Sequence, residues 1–226
     1  MQKYKYILFD LDGTVTESGP GIMNAASIAL KSFGIEEKDI SKLRLFVGPP
    51  LDKSFMERYG FTKEDAWKAI AVFREYYNDR GVFENSVYPG IEDMLKDLRS
   101  RGFITAIASS KPQPQVDKVL NHFHIAELFD TAVGCELDGT RSNKKEVIAE
   151  VLRRLSALDS AYSRDKVIMV GDRCYDIEGA HAMSLPCIGV LYGYGSRQEH
   201  EDAGADFIAD TVSDLHSLIC LASSKE

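Results

Sequence analysis

The sequence predicts an α/β fold with a parallel sheet, helices on both faces and an inserted block of helices. Two observations predict it. After Tyr88, short apolar runs rich in β-branched residues alternate with helical patterns, which is typical of repeated βα units. Before Tyr88, the long stretch that follows the first apolar run shows helical periodicity alone. With 226 residues, the chain is long enough for one large domain or two modest ones.

Six strands and five core helices follow from the periodicity of the apolar residues. The predicted strands are residues 7–9, 104–108, 131–134, 167–170, 187–191 and 207–209. The predicted helices between and after them are residues 90–101, 114–123, 143–155, 176–183 and 212–221. Pro112 and Pro114 stand where a helix begins and Gly102 stands where one ends, as the usual start and stop signals require.

Residues 17–84 are predicted to form a helical cap domain, with helices at 22–33, 51–59 and 63–77. The catalytic α/β core then consists of residues 1–16 and 85–226. Glycine- and proline-containing segments flank the insertion, which is consistent either with a lid that moves on two connectors or with a block that completes a single globule.

Composition excludes several classes of function. The formal net charge of -8 argues against binding of a nucleic acid polymer, which needs clustered lysine and arginine. No stretch approaches the roughly 20 apolar residues of a membrane helix, so no membrane partner is expected. The four cysteines form no C-x-x-C pair, which favours free thiols in the cytoplasm.

Polar side chains follow the predicted strands where they end, and the ends of parallel strands converge on one edge of a sheet. The first strand leads into Asp10, Asp12 and Thr14, and the strand at 104–108 leads into hydroxyl groups and a lysine. The full set is Asp10, Asp12, Thr14, Ser109, Ser110, Lys111, Lys144, Lys145, Asp172 and Asp176. Taken alone, the Asp-x-Asp-Gly sequence is equally typical of a turn.

These motifs resemble those of the haloacid dehalogenase superfamily of phosphohydrolases, over essentially the whole chain. The matching segments are 10–14, Ser109, Lys144 and 171–176. The inserted helices are similar to the cap of the branch that includes phosphoglycolate phosphatases and 5'-nucleotidases. The resemblance implies a Rossmann-like (flavodoxin-like) three-layer core with an inserted cap.

The resemblance also implies the roles of the two aspartates. Asp10 would be the nucleophile that forms an aspartyl-phosphate, and Asp12 would be the general acid and base. Mg²⁺ would be held by Asp10, the backbone carbonyl of Asp12, Asp172 and Asp176, because this ion prefers oxygen ligands. Asp172 and Asp176 have a second interpretation, as acids that stabilise the start of a helix.

The resemblance implies that hydroxyl groups and a lysine bind the phosphoryl group. Ser109 would donate to a phosphoryl oxygen, with Thr14 and Ser110 as further phosphate-binding residues. Lys144 would neutralise the phosphoryl group and keep Asp10 ionised, although the neighbouring Lys145 stays an alternative.

The sequence therefore predicts a magnesium-dependent phosphatase acting on small phosphomonoesters, either phosphoglycolate phosphatase-like or 5'-nucleotidase-like. Its partner would be a small phosphorylated metabolite, and the protein a monomer or homodimer. Three alternatives remain: a phosphosugar mutase with the same core, a phosphoaccepting signalling domain, and a binding protein that has lost catalysis.

Overall fold

The computed structural model describes residues 3–136, 140–141 and 143–222. It divides the chain into two units, Met1–Thr16 with Val87–Glu226, and Glu17–Ser86. The first unit contains the sheet and the second is built of helices. Within the described residues, no helix is long and apolar enough to cross a membrane.

The strands of the first unit form one parallel sheet, and six are found among the described residues. They are β1 (Tyr6–Phe9), β2 (Ile104–Pro112), β3 (Thr131–Cys135), β4 (Val167–Gly171), β5 (Cys187–Val190) and β6 (Phe207–Ala209). Their order across the sheet is β3-β2-β1-β4-β5-β6. This is the Rossmann order, whereas the flavodoxin order is 2-1-3-4-5. The predicted three-layer α/β fold class is confirmed, and the strand order identifies it as Rossmann-like.

The central strand β1 is buried on both faces, and this explains its unbroken apolar sequence. Tyr6 and Leu8 belong to a buried cluster on one face of the sheet, and Phe9 contacts the ring of Phe129 on the other. Phe9 pairs in register with Ile107 of β2 and with Val170 of β4. The residues that follow β1 and β4 therefore emerge side by side at the same edge.

Helices cover the sheet on both faces. The helices of the first unit, numbered in chain order after the four of the second unit, are α5 (Ile91–Ser100), α6 (Gln113–His122), α7 (Lys144–Leu158), α8 (Cys174–His181), α9 (Arg197–Asp202) and α10 (Val212–Ala222). Asn143 begins α7 with its side chain accepting a hydrogen bond from the backbone N–H of Glu146, which is a strong helix start. The short helix α9 is absent from the sequence prediction because six residues carry too little periodicity.

The second unit consists of helices, and its residues are all described. They are α1 (Gly19–Ser32), α2 (Ile40–Arg44), α3 (Leu51–Tyr59) and α4 (Lys63–Asp79), followed by a 3-10 turn at Gly81–Phe83. Its buried aromatic core includes Phe46 and Phe55, whose ring centroids lie 4.9 Å apart. Thr62 caps α4 by accepting a hydrogen bond from the backbone of Asp65. The unit contains no strand, as its sequence predicts.

Candidate active site

The carboxyl edge of the sheet brings three carboxylates together. Asp10, Asp172 and Asp176 are buried, and each offers an oxygen that lies within 4.8 Å of the others. Asp10 follows β1, Asp172 follows β4 and Asp176 lies in the first turn of α8. The edge between β1 and β4 is the point at which the strand order reverses, where ligands bind in sheets of this kind.

Lys144 is the cation of this cluster. From the first turn of α7, its Nζ lies 2.9 Å from Asp10 Oδ1 and 2.6 Å from Asp176 Oδ1. It also donates to the carbonyl oxygen of Ala108 at 2.9 Å. The ammonium group thus contacts two carboxylates and donates to one backbone carbonyl. Lys145 is exposed, and the structure thus places Lys144 and not its neighbour at the cluster.

Asp10 has one engaged and one available oxygen. Oδ1 accepts the backbone N–H of Leu11 at 2.7 Å and is the oxygen that contacts Lys144. Among the described residues, none donates a hydrogen bond to Oδ2. Burial raises the pKa of Asp10 to about 6. The ammonium group of Lys144 offsets part of this rise, whereas the negative charges of Asp176 and Asp12 increase it.

Asp172 is held from several sides at the end of β4. Its Oδ1 accepts from the hydroxyl of Thr14 at 3.3 Å, and its Oδ2 accepts from the backbone N–H of Tyr194 at 2.9 Å. Its backbone carbonyl accepts from Nε2 of the buried His200 at 2.9 Å. Burial, together with Asp176 and Asp10, raises the pKa of Asp172 well above its usual range.

Thr14 and Ser110 are not placed as the sequence suggests. Thr14 is fully buried with its hydroxyl on Asp172, so its contact supports a predicted metal ligand rather than a phosphate. Ser110 is exposed on β2, and among the described residues no hydrogen bond joins it to the carboxylate cluster. Ser109 is buried beside the cluster, where its Oγ accepts the backbone N–H of Lys111 at 3.3 Å.

Asp176 also begins α8. Its Oδ2 accepts the backbone N–H of Arg173 at 3.1 Å, so the side chain satisfies a donor of the residue that precedes the helix. The helix-start interpretation of this aspartate is therefore correct, and it coexists with the contact to Lys144. Helix α8 begins two residues earlier than the sequence predicts, because this cap extends the first turn.

The glycine between Asp12 and Thr14 is required by geometry. Gly13 has φ +83°, which favours glycine, and a Cβ atom there would collide with the carboxylate of Asp172. The backbone of the first motif thus packs directly on the side chain of the last.

Asp12 lies outside the three-carboxylate cluster and has its own cation. Both of its oxygens lie 2.9 Å from Nζ of Lys111. The sequence placed Lys111 at the sheet edge but gave it no role, and it did not assign Tyr194 or His200 to the site. The sequence feature that pointed to Lys111 was its position shortly after Ser109 at a strand end. For Tyr194 it was the flanking glycines, which marked a loop near the sheet edge.

The donor set fits a divalent cation. Asp10, Asp12, Asp172 and Asp176 carry four acidic groups, which two lysines neutralise only in part. The raised pKa values of Asp10 and Asp172 reflect this crowding of buried acids. Carboxylate oxygens without competing sulfur or imidazole ligands suit Mg²⁺.

Comparison with known proteins agrees with this geometry. The model of the family described as haloacid dehalogenase-like hydrolase matches residues 7–190. A 5'-nucleotidase of Pseudomonas aeruginosa is 40% identical over 197 residues, which cover 87% of this chain and 87% of that protein. A phosphoglycolate phosphatase of Vibrio cholerae is 26% identical, over 99% of this chain and 100% of that protein.

Another relative carries a different name. Tyrosine-protein kinase PtkA of Mycobacterium tuberculosis is 36% identical over 205 residues, which cover 91% of this chain but 65% of that protein. Among solved structures, one titled a predicted phosphatase from Clostridium acetobutylicum is 45% identical, with a TM-score of 0.91. That match covers 96% of this chain and 99% of that one.

Proposed function

The chain belongs to the haloacid dehalogenase-like hydrolase family, and from that premise we propose that it hydrolyses small phosphomonoesters through an aspartyl-phosphate on Asp10. It is a phosphatase of this family. The observation that supports the proposed mechanism is the difference between the surroundings of the two carboxylate oxygens of Asp10. One oxygen is fixed by Leu11 and Lys144, and the other accepts no hydrogen bond from the described residues.

In the first step, Asp10 attacks phosphorus. A bond forms between the Asp10 carboxylate oxygen and phosphorus while the ester bond from phosphorus to the leaving oxygen breaks. Asp12 gives its proton to the leaving alkoxide oxygen, which departs as an alcohol. Lys144 stabilises the ionised form of Asp10 before attack, because it is an opposite charge at hydrogen-bond distance.

In the second step, water releases phosphate. Asp12, now a carboxylate, takes a proton from water while the water oxygen bonds to phosphorus. The bond between phosphorus and Asp10 breaks, and Asp10 returns to its starting state. A carboxylate nucleophile thereby divides one difficult substitution into two easier ones.

We propose Mg²⁺ as the cofactor, with Asp10, the backbone carbonyl of Asp12, Asp172 and Asp176 as the residues that would hold it. When bound, the ion would neutralise the negative charge of the phosphoryl oxygens. Thr14 and Tyr194 fix the two oxygens of Asp172, and such outer contacts typically tune metal affinity. Ser109 is proposed to bind the phosphoryl group.

The proposed substrate is a nucleoside 5'-monophosphate or phosphoglycolate. The 40% identity to a 5'-nucleotidase favours the first, and the match along the full length of a phosphoglycolate phosphatase supports the second. A small phosphorylated metabolite is thus the proposed partner. All four cysteines are among the described residues and none is in a disulfide, which supports a reducing compartment such as the cytoplasm.

Phosphoryl transfer to a protein tyrosine is a second candidate, favoured by the relative named a tyrosine kinase. A phosphosugar mutase is a third, since it would keep the phosphoenzyme for transfer back to a sugar. Both differ from hydrolysis in the fate of the phosphoryl group, which is measurable. A kinase would label a tyrosine peptide from ATP, and a mutase would need a bisphosphate activator.

A phosphate-release screen with wild-type protein and Asp10→Asn tests the proposal. The substrates are nucleoside monophosphates, phosphoglycolate, sugar phosphates and pyrophosphate, each with Mg²⁺. We expect the wild type to release phosphate and the variant to release none while keeping its circular dichroism spectrum. Appreciable release by Asp10→Asn would show that another residue is the nucleophile, and labelled peptide without phosphate release would favour the kinase.

A further inference from the structure

Lys111 is a buried ammonium group that faces the second aspartate of the first motif. Its Nζ lies 2.9 Å from Asp12 Oδ1 and 2.9 Å from Oδ2. Only 3% of the Lys111 side chain is exposed, against 15% for Asp12. Lysine is almost never buried to this extent unless it is paired. The two steps described above do not use Lys111.

The backbone of Lys111 lies close against the neighbouring strand β3. The pairing of β2 with β3 shifts register between Ala108 and Pro112, so the end of β2 departs from regular geometry around Lys111. The Lys111 N–H donates to Ser109 Oγ at 3.3 Å. A Cβ atom on Gly134 of β3 would lie 2.5 Å from the Lys111 carbonyl oxygen, so glycine permits this close approach. The site of the ammonium group is therefore set by the sheet.

We propose that Lys111 is a positioning residue that holds the Asp12 carboxylate in the orientation needed for its proton transfers. The inference rests on the proposed function of Asp12. Contacts to both oxygens oppose rotation of the carboxylate, so Asp12 stays apart from the cluster formed by Asp10, Asp172 and Asp176. Lys144 and Lys111 thus hold the two aspartates of the first motif in separate places.

Comparing substrates with different leaving groups distinguishes the positioning role of Lys111 from a purely structural role. An alkyl phosphate releases a strongly basic alkoxide that needs a proton, whereas p-nitrophenyl phosphate releases a stable phenolate that does not. General acid catalysis contributes roughly 10²–10⁴-fold, and misplacing the acid loses part of it. For Lys111→Met we expect kcat/KM to fall about 10- to 100-fold on an alkyl phosphate and less than about threefold on p-nitrophenyl phosphate.

The second half-reaction gives an independent signal. With p-nitrophenyl phosphate, Lys111→Met should form the phosphoenzyme normally but hydrolyse it slowly, because Asp12 is misplaced as the base. We expect a rapid burst of nitrophenolate, equal to one per active site, followed by slower turnover. The burst appears only if the phosphoenzyme forms faster than it is hydrolysed. A loss of folded protein lowers both rates together and produces no burst.

A double-mutant cycle tests whether Lys111 acts through Asp12. Asp12→Asn should show the same selectivity for leaving groups, and adding Lys111→Met to it should change kcat/KM on the alkyl phosphate by less than about twofold. Lys111→Arg should recover part of the alkyl-phosphate activity, since arginine also binds both oxygens of a carboxylate. Lys145→Met is the matched control, because it removes an exposed lysine near the site.

Equal losses on both esters, no loss on either, or additive losses in the cycle would overturn the positioning role. If Lys111→Met does not fold, as judged by thermal melting, Lys111→Gln carries the same comparison, with Lys111→Arg again as the variant that keeps the contact. Failure of the proposed function is distinct: the wild type would then release no phosphate from either ester, or Asp12→Asn would show no selectivity.

Discussion

The ammonium group of Lys144 lies 2.9 Å from Asp10 Oδ1, although Asp10 directly follows β1 and Lys144 begins α7, far along the chain. The same group lies 2.6 Å from Asp176 Oδ1. Burial by itself lowers the pKa of Lys144, but Asp10 and Asp176 more than offset this and hold the pKa above its usual value. Lys144 is therefore a permanent charge between two acids.

Replacing this charge should impair both activity and stability. For Lys144→Met we expect kcat to fall by about 10²–10³, the usual cost of losing one preorganised electrostatic contact. The free energy of unfolding should also fall, because two buried acids lose their cation. Lys145→Met should stay within about 0.5 kcal/mol of the wild type, as exposed substitutions do. Steady-state phosphate release and urea unfolding measure both effects, and similar losses in the two variants would contradict the assignment.

Thr14 should control metal affinity rather than substrate affinity. Its hydroxyl donates to Asp172, and losing such an outer contact typically weakens metal binding about 10- to 100-fold. We expect Thr14→Val to raise the Mg²⁺ concentration for half-maximal activity by about tenfold, while Thr14→Ser keeps it near the wild-type value.

The measurement is phosphate release titrated with Mg²⁺ after complete removal of divalent ions with a chelator. Chelation should abolish the activity of the wild type, and added Mg²⁺ should restore it. A raised KM for substrate with an unchanged Mg²⁺ requirement would instead support phosphate binding by Thr14.

The strands and the acids of the site could be predicted from the sequence because their causes are local. A parallel strand buried on both faces reads as an unbroken apolar run, and the acids come directly after such runs. The choice between Lys144 and Lys145 stayed open, because both stand in the first turn of α7 and only the packing of that helix buries one of them. The contact of Lys111 with Asp12 was not encoded locally, because it joins residues 99 positions apart across an irregular strand end.

Asp10 should make the metal-free protein less stable as pH rises through about 6. Asp10 has a pKa of about 6 in the folded protein and about 3.9 when unfolded, so between these values the folded state holds a proton that the unfolded state has lost. The contribution of Asp10 to the free energy of unfolding is thus fully present below about pH 4 and is lost as pH rises through about 6, by on the order of 3 kcal/mol. Asp172 adds to the trend in the same direction.

Urea unfolding in the presence of a chelator, between pH 4 and pH 8, measures this slope. Asp10→Asn should flatten it and should be more stable than the wild type at pH 7. Asp93→Asn, which changes an exposed aspartate of the same unit, should leave the slope as it is. If the wild-type protein became more stable as pH rises through 6, the raised pKa of Asp10 would be contradicted.

Gly179 of α8 offers a way to move Lys144 without changing any charged group. A Cβ atom there would lie 2.6 Å from Cγ and 2.8 Å from Cβ of Lys144. These atoms are near the backbone of α7 and cannot swing aside, so the start of that helix or α8 must shift. Overpacking of this kind costs about 1–3 kcal/mol, which exceeds the roughly 1 kcal/mol that alanine gains over glycine in a helix.

We therefore expect Gly179→Ala to lower kcat by about tenfold or more, because misplacing a catalytic group by about 1 Å can cost up to about 10²-fold. Glu178→Ala, on the exposed side of the same helix, should keep its activity. Phosphate release and thermal melting compare the two. Because Gly179→Ala retains every acid and both lysines, a loss of activity would be due to the position of the Lys144 ammonium group. Full activity with unchanged melting would show that α7 and α8 accommodate the methyl group and that the placement of Lys144 is less restricted than its three contacts imply.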